Sequence, residues 1–254
     1  MSNSALVTYK RLSPNCTKPR TKKIKKITPH HMAGNLTLEQ LGELWARPAR
    51  RASSNYGIDS EGRIGLYVDE ANRAWTSDSV DNDNQAVTIE IANDSGAPEW
   101  HISDKALAAT IDLCVDICKR NGIKKLNFNG KASGTLTMHR YFQATLCPGP
   151  YLAGKFTYIA DEVNRRLKTE KQATKFLPER GYFQRGDVHK NVGKIAKFMR
   201  KMFPSYTPEK ALGNTYGLYL LGAVKEFQKR TGLEPDGFFG PKTLAMLEEY
   251  GFKK

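Results

Sequence analysis

Four cysteines are scattered over 254 residues, at positions 16, 114, 118 and 147, and their spacing forms no disulfide framework. Packing rather than cross-linking must hold the fold, and a reducing site of synthesis fits. No apolar run approaches the length that crosses a bilayer. The opening stretch Met1 to Val7 has neither a long apolar region nor a small-residue cleavage site, so no secretory leader is expected. Acidic residues are scarce: 26 Asp and Glu stand against 40 Lys and Arg, and the net charge of +14 calls for an anionic partner. Nucleic acid, an anionic membrane and an acidic wall polymer all qualify on charge. Zinc-finger spacing and an aromatic ladder on a basic sheet are both missing, so nucleic acid is not the expected partner.

The chain has one histidine–cysteine pair of chemical interest, in the segment from Met138 to Pro150. His139 and Cys147 lie eight positions apart, and Pro148, Gly149 and Pro150 keep the cysteine on a rigid loop. Imidazole and thiolate are good zinc ligands. A third ligand is available upstream in Ile27-Thr28-Pro29-His30-His31. Two histidines and a cysteine leave one position for water, the layout of a catalytic rather than a structural zinc. Taken alone, the pair equally suits a surface imidazole and a small thiol.

Periodicity gives the rest of the order. Residues 1–23 read as a basic, extended lead-in, and the run Lys18 to Lys26 as a solvated arm. Lys25 to Pro29 forms a short strand ending at the two histidines. Thr37 caps a helix carrying Leu38, Leu41, Leu44 and Trp45. Strands follow at Ser53 to Ile58 and Arg63 to Val68, with a loop from Asp69 to Asp83. Ala86 to Ala92 is the clearest strand; alternation sets Ile89 and Ile91 on one face, Thr88 and Glu90 on the other. An unpaired carboxylate there is costly to bury, so Glu90 faces either a polar cavity or, on an edge strand, water. Ser103 and Gly122 bracket a long amphipathic helix in which Cys114 and Cys118 pack as small apolar groups. Leu126 to Phe128 reads as a strand, Gly154 to Leu167 as a helix, and 168–180 as a charged linker. Three helices and a Gly/Asp/Pro loop fill 181–254, near the smallest size that folds. His101 and His189 are expected to be exposed or locally hydrogen-bonded.

These pieces together resemble a known family. His30-His31 ending a strand, Ser53 to Ile58 with Gly62, Arg73-Ala74-Trp75, Ile89-Glu90, and Met138-His139-Arg140 with Cys147-Pro148-Gly149 follow the order of the zinc-dependent N-acetylmuramoyl-L-alanine amidases. The likeness covers 24–167. Ala223 to Lys229, Gly232-Leu233, Asp236-Gly237, Phe239-Gly240-Pro241 and Thr243 resemble a peptidoglycan-binding domain over 181–254. The resemblance implies an α/β amidase domain, a central mixed sheet flanked by helices, plus a small three-helix C-terminal domain. The pairing is that of a phage endolysin or an autolysin, which would gather inside the host and act on the wall after release.

By resemblance, His30, His139 and Cys147 are the Zn2+ ligands, His30 being preferred to His31. Glu90 matches a catalytic acid position, and Thr145 the position that helps hold an oxyanion. Many relatives carry a tyrosine near Ser54; here Tyr56 stands two residues away, on the same face of a strand or simply in the core, and proton transfer is left to Glu90. The expected substrate is peptidoglycan, cut between N-acetylmuramic acid and L-alanine, with anionic wall polymers attracting the positive charge. The alternatives are a recognition protein that binds without cutting and a zinc peptidase acting on the stem peptide.

Overall fold

The computed structural model describes residues 2–254, with the side chains of 169–174 and 211 outside that description. The chain divides into two compact units, Met1–Leu167 and Lys168–Lys254.

The first unit is built on a five-stranded mixed sheet. Its strands are β1 (Tyr9–Lys10), β3 (Lys26–His31), β4 (Tyr56–Ile58), β5 (Ile64–Leu66) and β7 (Ala86–Ile91), in the order β1-β5-β4-β7-β3. β2 (Cys16–Thr17) and β6 (Arg73–Ala74) form a separate antiparallel pair. The helices are α1 (Leu38–Trp45), α2 (Val80–Gln85), α3 (Asp104–Asn121) and α4 (Pro150–Phe176). Thr37 and Gln40 form a reciprocal capping box on α1, Ser103 caps α3, and Gly122 ends α3 in the left-handed conformation. Each end signal read from the sequence here is a side chain or a glycine meeting otherwise unpaired backbone groups.

β3 and β7 run parallel, with Thr28 opposite Thr88 and His30 opposite Glu90. β7 lies between β4 and β3, so the edge-strand reading of Glu90 is excluded. Alternation splits these strands cleanly. Ile27, Val87, Ile89 and Ile91 join the main apolar core with residues of α3 and α4. Thr28, Thr88, His30 and Glu90 share the opposite face.

Four expectations change. The basic lead-in is part of the fold: β1 pairs with β5, β2 with β6, and Arg20 is buried rather than solvated. Its guanidinium donates to the carbonyls of Glu70 (2.6 Å), Asn84 (2.9 Å), Ala86 (3.1 Å) and Asn72 (2.9 Å). A charge-rich stretch conceals this because only distant carbonyls reveal the burial. Leu126 to Phe128 is no strand; Asn127 instead accepts from the backbone N–H groups of Thr135 and Leu136. The linker expected over 168–180 is helical as far as Phe176. Low hydropathy suggested a linker, yet Lys, Glu, Gln and Ala are good helix formers. Part of the loop expected at 69–83 is regular structure as well: β6 lies within it, and α2 begins at Val80 with Ser79 as its cap.

The second unit holds α5 (Lys190–Met202), α6 (Leu218–Arg230) and α7 (Pro241–Glu249) around an aromatic-rich core including Phe183, Phe227, Phe239 and Phe252. Buried Gln228 organises its loop. Its Nε2 donates to Asp236 (2.8 Å), to the Phe238 carbonyl (3.0 Å) and to Thr243 (3.1 Å), and its Oε1 accepts from Gly237 (2.9 Å). His189 caps α5 through Nδ1, and His101 bonds Asp94, both local roles.

Candidate metal centre and active site

The site forms at the C-terminal end of β3. Residues 135–137 run beside that strand: Ile27 N–H donates to Thr135 O at 2.8 Å, and Thr137 N–H to Ile27 O at 3.0 Å. The Thr28 and Thr137 hydroxyls meet at 2.8 Å. This strip delivers His139, at the start of the 3-10 turn His139–Tyr141, next to His30. The Cys147 loop is then fastened to that turn by Arg140, which donates to the carbonyls of Leu146 (2.8 Å) and Cys147 (3.3 Å). Gly149, at φ +79, completes the loop; a Cβ there would lie 3.1 Å from His31 Nδ1.

His30, His139 and Cys147 offer donor atoms that all lie within 4.8 Å of one another. Cys147 Sγ is 3.5 Å from His30 Nδ1, and the two imidazole rings are 4.8 Å apart at their centroids. A tetrahedral zinc, with Zn–S about 2.3 Å and Zn–N about 2.0–2.1 Å, separates such donors by about 3.5 Å. The donor set fits that ion in chemistry, and the His30–Cys147 pair already has that spacing. His31 does not join the cluster: its ring packs edge-on against Trp100 at 5.4 Å.

Electrostatics favour ligation. Burial, then the neighbouring His139 and His31, hold His30 well below the usual imidazole range. Burial also lowers His139, so both rings are neutral and have a lone pair to give at neutral pH. Burial and the Glu90 carboxylate push the Cys147 thiol up, while a hydrogen bond from the His31 backbone and the charge of Arg140 pull it down. A cation at this spot reverses the first two effects and favours thiolate.

Glu90 is the one residue of β7 that is not fully buried. Strand pairing sets Glu90 opposite His30 on the same face of the sheet, within electrostatic range of Cys147. Burial raises its carboxyl to about 8, opposed by the charge of Arg50. The Thr145 hydroxyl accepts from the Cys147 N–H at 3.2 Å, leaving its own proton to donate elsewhere. Tyr56 is fully buried and its hydroxyl donates to Glu70 at 2.7 Å, so of its two readings the core one holds.

Two features carried no sequence signal. Gln143 Oε1 lies 3.1 Å from His139 Nε2, which steadies that ring. Gln143 also lines a cleft of about 470 Å3 with Arg51, Arg73, Trp75, Thr76 and Asp83. Beneath it, Asp83 accepts from Ser77 and Thr76, and Asn82 Nδ2 donates to Thr28, while Asn82 Oδ1 and His30 Nε2 are buried without a hydrogen-bond partner. Spacing in the sequence shows none of these pairings.

The family model described as N-acetylmuramoyl-L-alanine amidase matches residues 20–150, just over half of the chain. The chain belongs to that family. A second model, for a putative peptidoglycan-binding domain, matches residues 205–247. N-acetylmuramoyl-L-alanine amidase CwlL of Bacillus licheniformis is 23% identical over 223 residues, covering 81% of this chain. The chain spans 59% of the length of that relative. Among solved structures, PlyL is similar at a TM-score of 0.50 and 17% identity, over 61% of this chain and 95% of that one. The PlyG catalytic domain is similar at 0.50 and 17%, over 62% and 93%. The fold is therefore that of these domains.

Proposed function

We propose that the chain is a zinc-dependent peptidoglycan hydrolase that cuts the amide between N-acetylmuramic acid and the L-alanine of the stem peptide. The convergence of His30, His139 and Cys147 beside Glu90, in a chain of this family, carries the reading. A zinc ion bound by those three would polarise the scissile carbonyl and acidify water at neutral pH.

The protein's own groups do the remaining work. Glu90 accepts the proton of the attacking water and delivers it to the leaving amide nitrogen. A carboxyl set near 8 by burial suits both halves of that transfer. The Thr145 hydroxyl donates to the oxyanion that develops on the attacked carbonyl. Arg140 and Gln143 keep the Cys147 loop and the His139 ring in place while this happens. The unit Lys168–Lys254 anchors the chain to the wall, with the peptidoglycan-binding match as support. No helix among the described residues is long and apolar enough to cross a membrane.

Cys147 within reach of both histidines favours catalysis over recognition without cleavage. Mass analysis of digested walls tests the activity: new L-alanine amino termini are expected. A different new chain end would make the protein a peptidase, and full activity after chelation would exclude zinc.

A further inference from the structure

We propose that the exposed face of α5 binds a phosphodiester-linked anionic polymer of the wall, a contact separate from peptidoglycan binding. The inference rests on the reading of the chain as a wall hydrolase.

α5 carries five cations and no acidic residue. Lys190, Lys194, Lys197 and Lys201 follow one another at steps of four, three and four, which places them along one side of the helix. At 1.5 Å per residue the row is about 16 Å long. All four lysines are exposed, and none has an ion pair or a hydrogen bond among the described residues. Elsewhere in the unit Arg180 pairs with Asp187, Arg230 with Glu226 and Lys254 with Glu248, while Lys225, Lys229, Lys242 and Lys253 have no ion pair among the described residues but do not extend into a row of four along one helix. A row of like charges left unpaired repels itself and is relieved by an external polyanion.

The surface around the row has shape as well as charge. Lys194 and Lys197 separate two clefts, of about 280 Å3 toward Gly213 and Asn214 and about 350 Å3 toward Phe252 and Lys253. Gly193 makes the first possible, since a Cβ there would meet Asn214 Oδ1 at 2.5 Å. The loop at 213–214 can thus lie close against the helix and bring polar backbone to the lysines.

The apolar side of α5 decides against a bilayer. Val192, Ile195, Ala196 and Met199 are fully buried in the core of the unit. The helix can offer charge to an anionic chain but cannot insert. The residues matched by the peptidoglycan-binding model begin at 205, so α5 lies outside that match.

The test uses the full chain, with poly(glycerol phosphate) as probe and walls assayed before and after acid extraction of their phosphodiester polymer. The wild type is expected to bind intact walls and the soluble polymer, and extracted walls less tightly. Lys194→Glu with Lys197→Glu should weaken polymer binding at least tenfold and lower its salt dependence. The same change should leave binding to extracted walls and L-alanine release from them unaltered. Lys194→Arg with Lys197→Arg should retain polymer binding. Undiminished polymer binding by the reversed-charge variant overturns the proposal. So does tighter binding, per phosphate, to duplex DNA or to phosphatidylglycerol vesicles. Absence of L-alanine release from extracted walls by the wild type would instead refute the hydrolase reading, and leave polymer binding to be judged by its own arms.

Discussion

The two faces of the central sheet are made from the same strands and have opposite tasks. On one, Ile27, Val87, Ile89 and Ile91 pack against helices, with nothing polar to satisfy. On the other, Thr28, Thr88, His30 and Glu90 sit over a layer of hydrogen-bonded Asn, Ser and Asp. Neighbouring residues of β7 thus answer to different physics: Ile89 gains by leaving water, while Glu90 is held in place at a cost. The lesson is that stability and chemistry alternate along a single strand, and substitutions one residue apart should separate them.

The largest effect is expected from Cys147→Ala on the polar face. Stoichiometric zinc binding should be lost in a competition titration, and wall hydrolysis should fall by about four orders of magnitude or more. Glu90→Gln keeps the three donors and removes the proton carrier. Its kcat should drop by about 10²–10⁴ with zinc content intact. Across the sheet, Ile89→Ala should do the reverse. It should cost about 2–4 kcal/mol in denaturant unfolding while the remaining folded protein binds zinc normally. A loss of zinc affinity there as large as in Cys147→Ala would break the contrast. Thr145→Val should lower kcat by about 10–10² with little change in KM.

The smallest effect sharpens the comparison most. Glu90 titrates near 8 when folded and near the ordinary carboxylate value of 4.5 when unfolded. Between those values the folded state holds the extra proton. In metal-free protein, stability therefore falls as pH rises from about 4.5 to 8, and Glu90→Gln abolishes that fall. At pH 8.5 the variant should be more stable by about 1–3 kcal/mol, allowing for the carboxyl's partial access to water. Equal stability of the two proteins at that pH would mean that burial does not strain Glu90.

What could be read from the sequence follows from the same division. β3, β7, α3 and the three C-terminal helices announce themselves by period and by caps, which are local properties. The resemblance ordered His30, Glu90, His139 and Cys147, and the structure brings the three donors together beside Glu90. The means of assembly stayed hidden. The strip at 135–137 pairs with Ile27 across more than a hundred residues, and β1, β2 and β6 have two residues each, too few to show a period. Arg20 looked like one cation among many, because its burial depends on carbonyls from Glu70 to Ala86. Gln143 was invisible for a similar reason: a glutamine has no charge or period to give it away.

The fastening of the Cys147 loop by Arg140 bears on the order in which the donors arrive. His139 and Cys147 are near neighbours in the chain, and a loop of that size closes within about 10–100 ns. His30 is placed by β3, whose partners β7 and the strip at 135–137 are both distant in sequence. If these three side chains hold a metal, an ion met during refolding would find a two-pronged claw first and a complete socket last. Three-donor occupancy would then gauge finished sheet, and a stopped-flow signal from the thiolate–metal bond would time the last strand's docking.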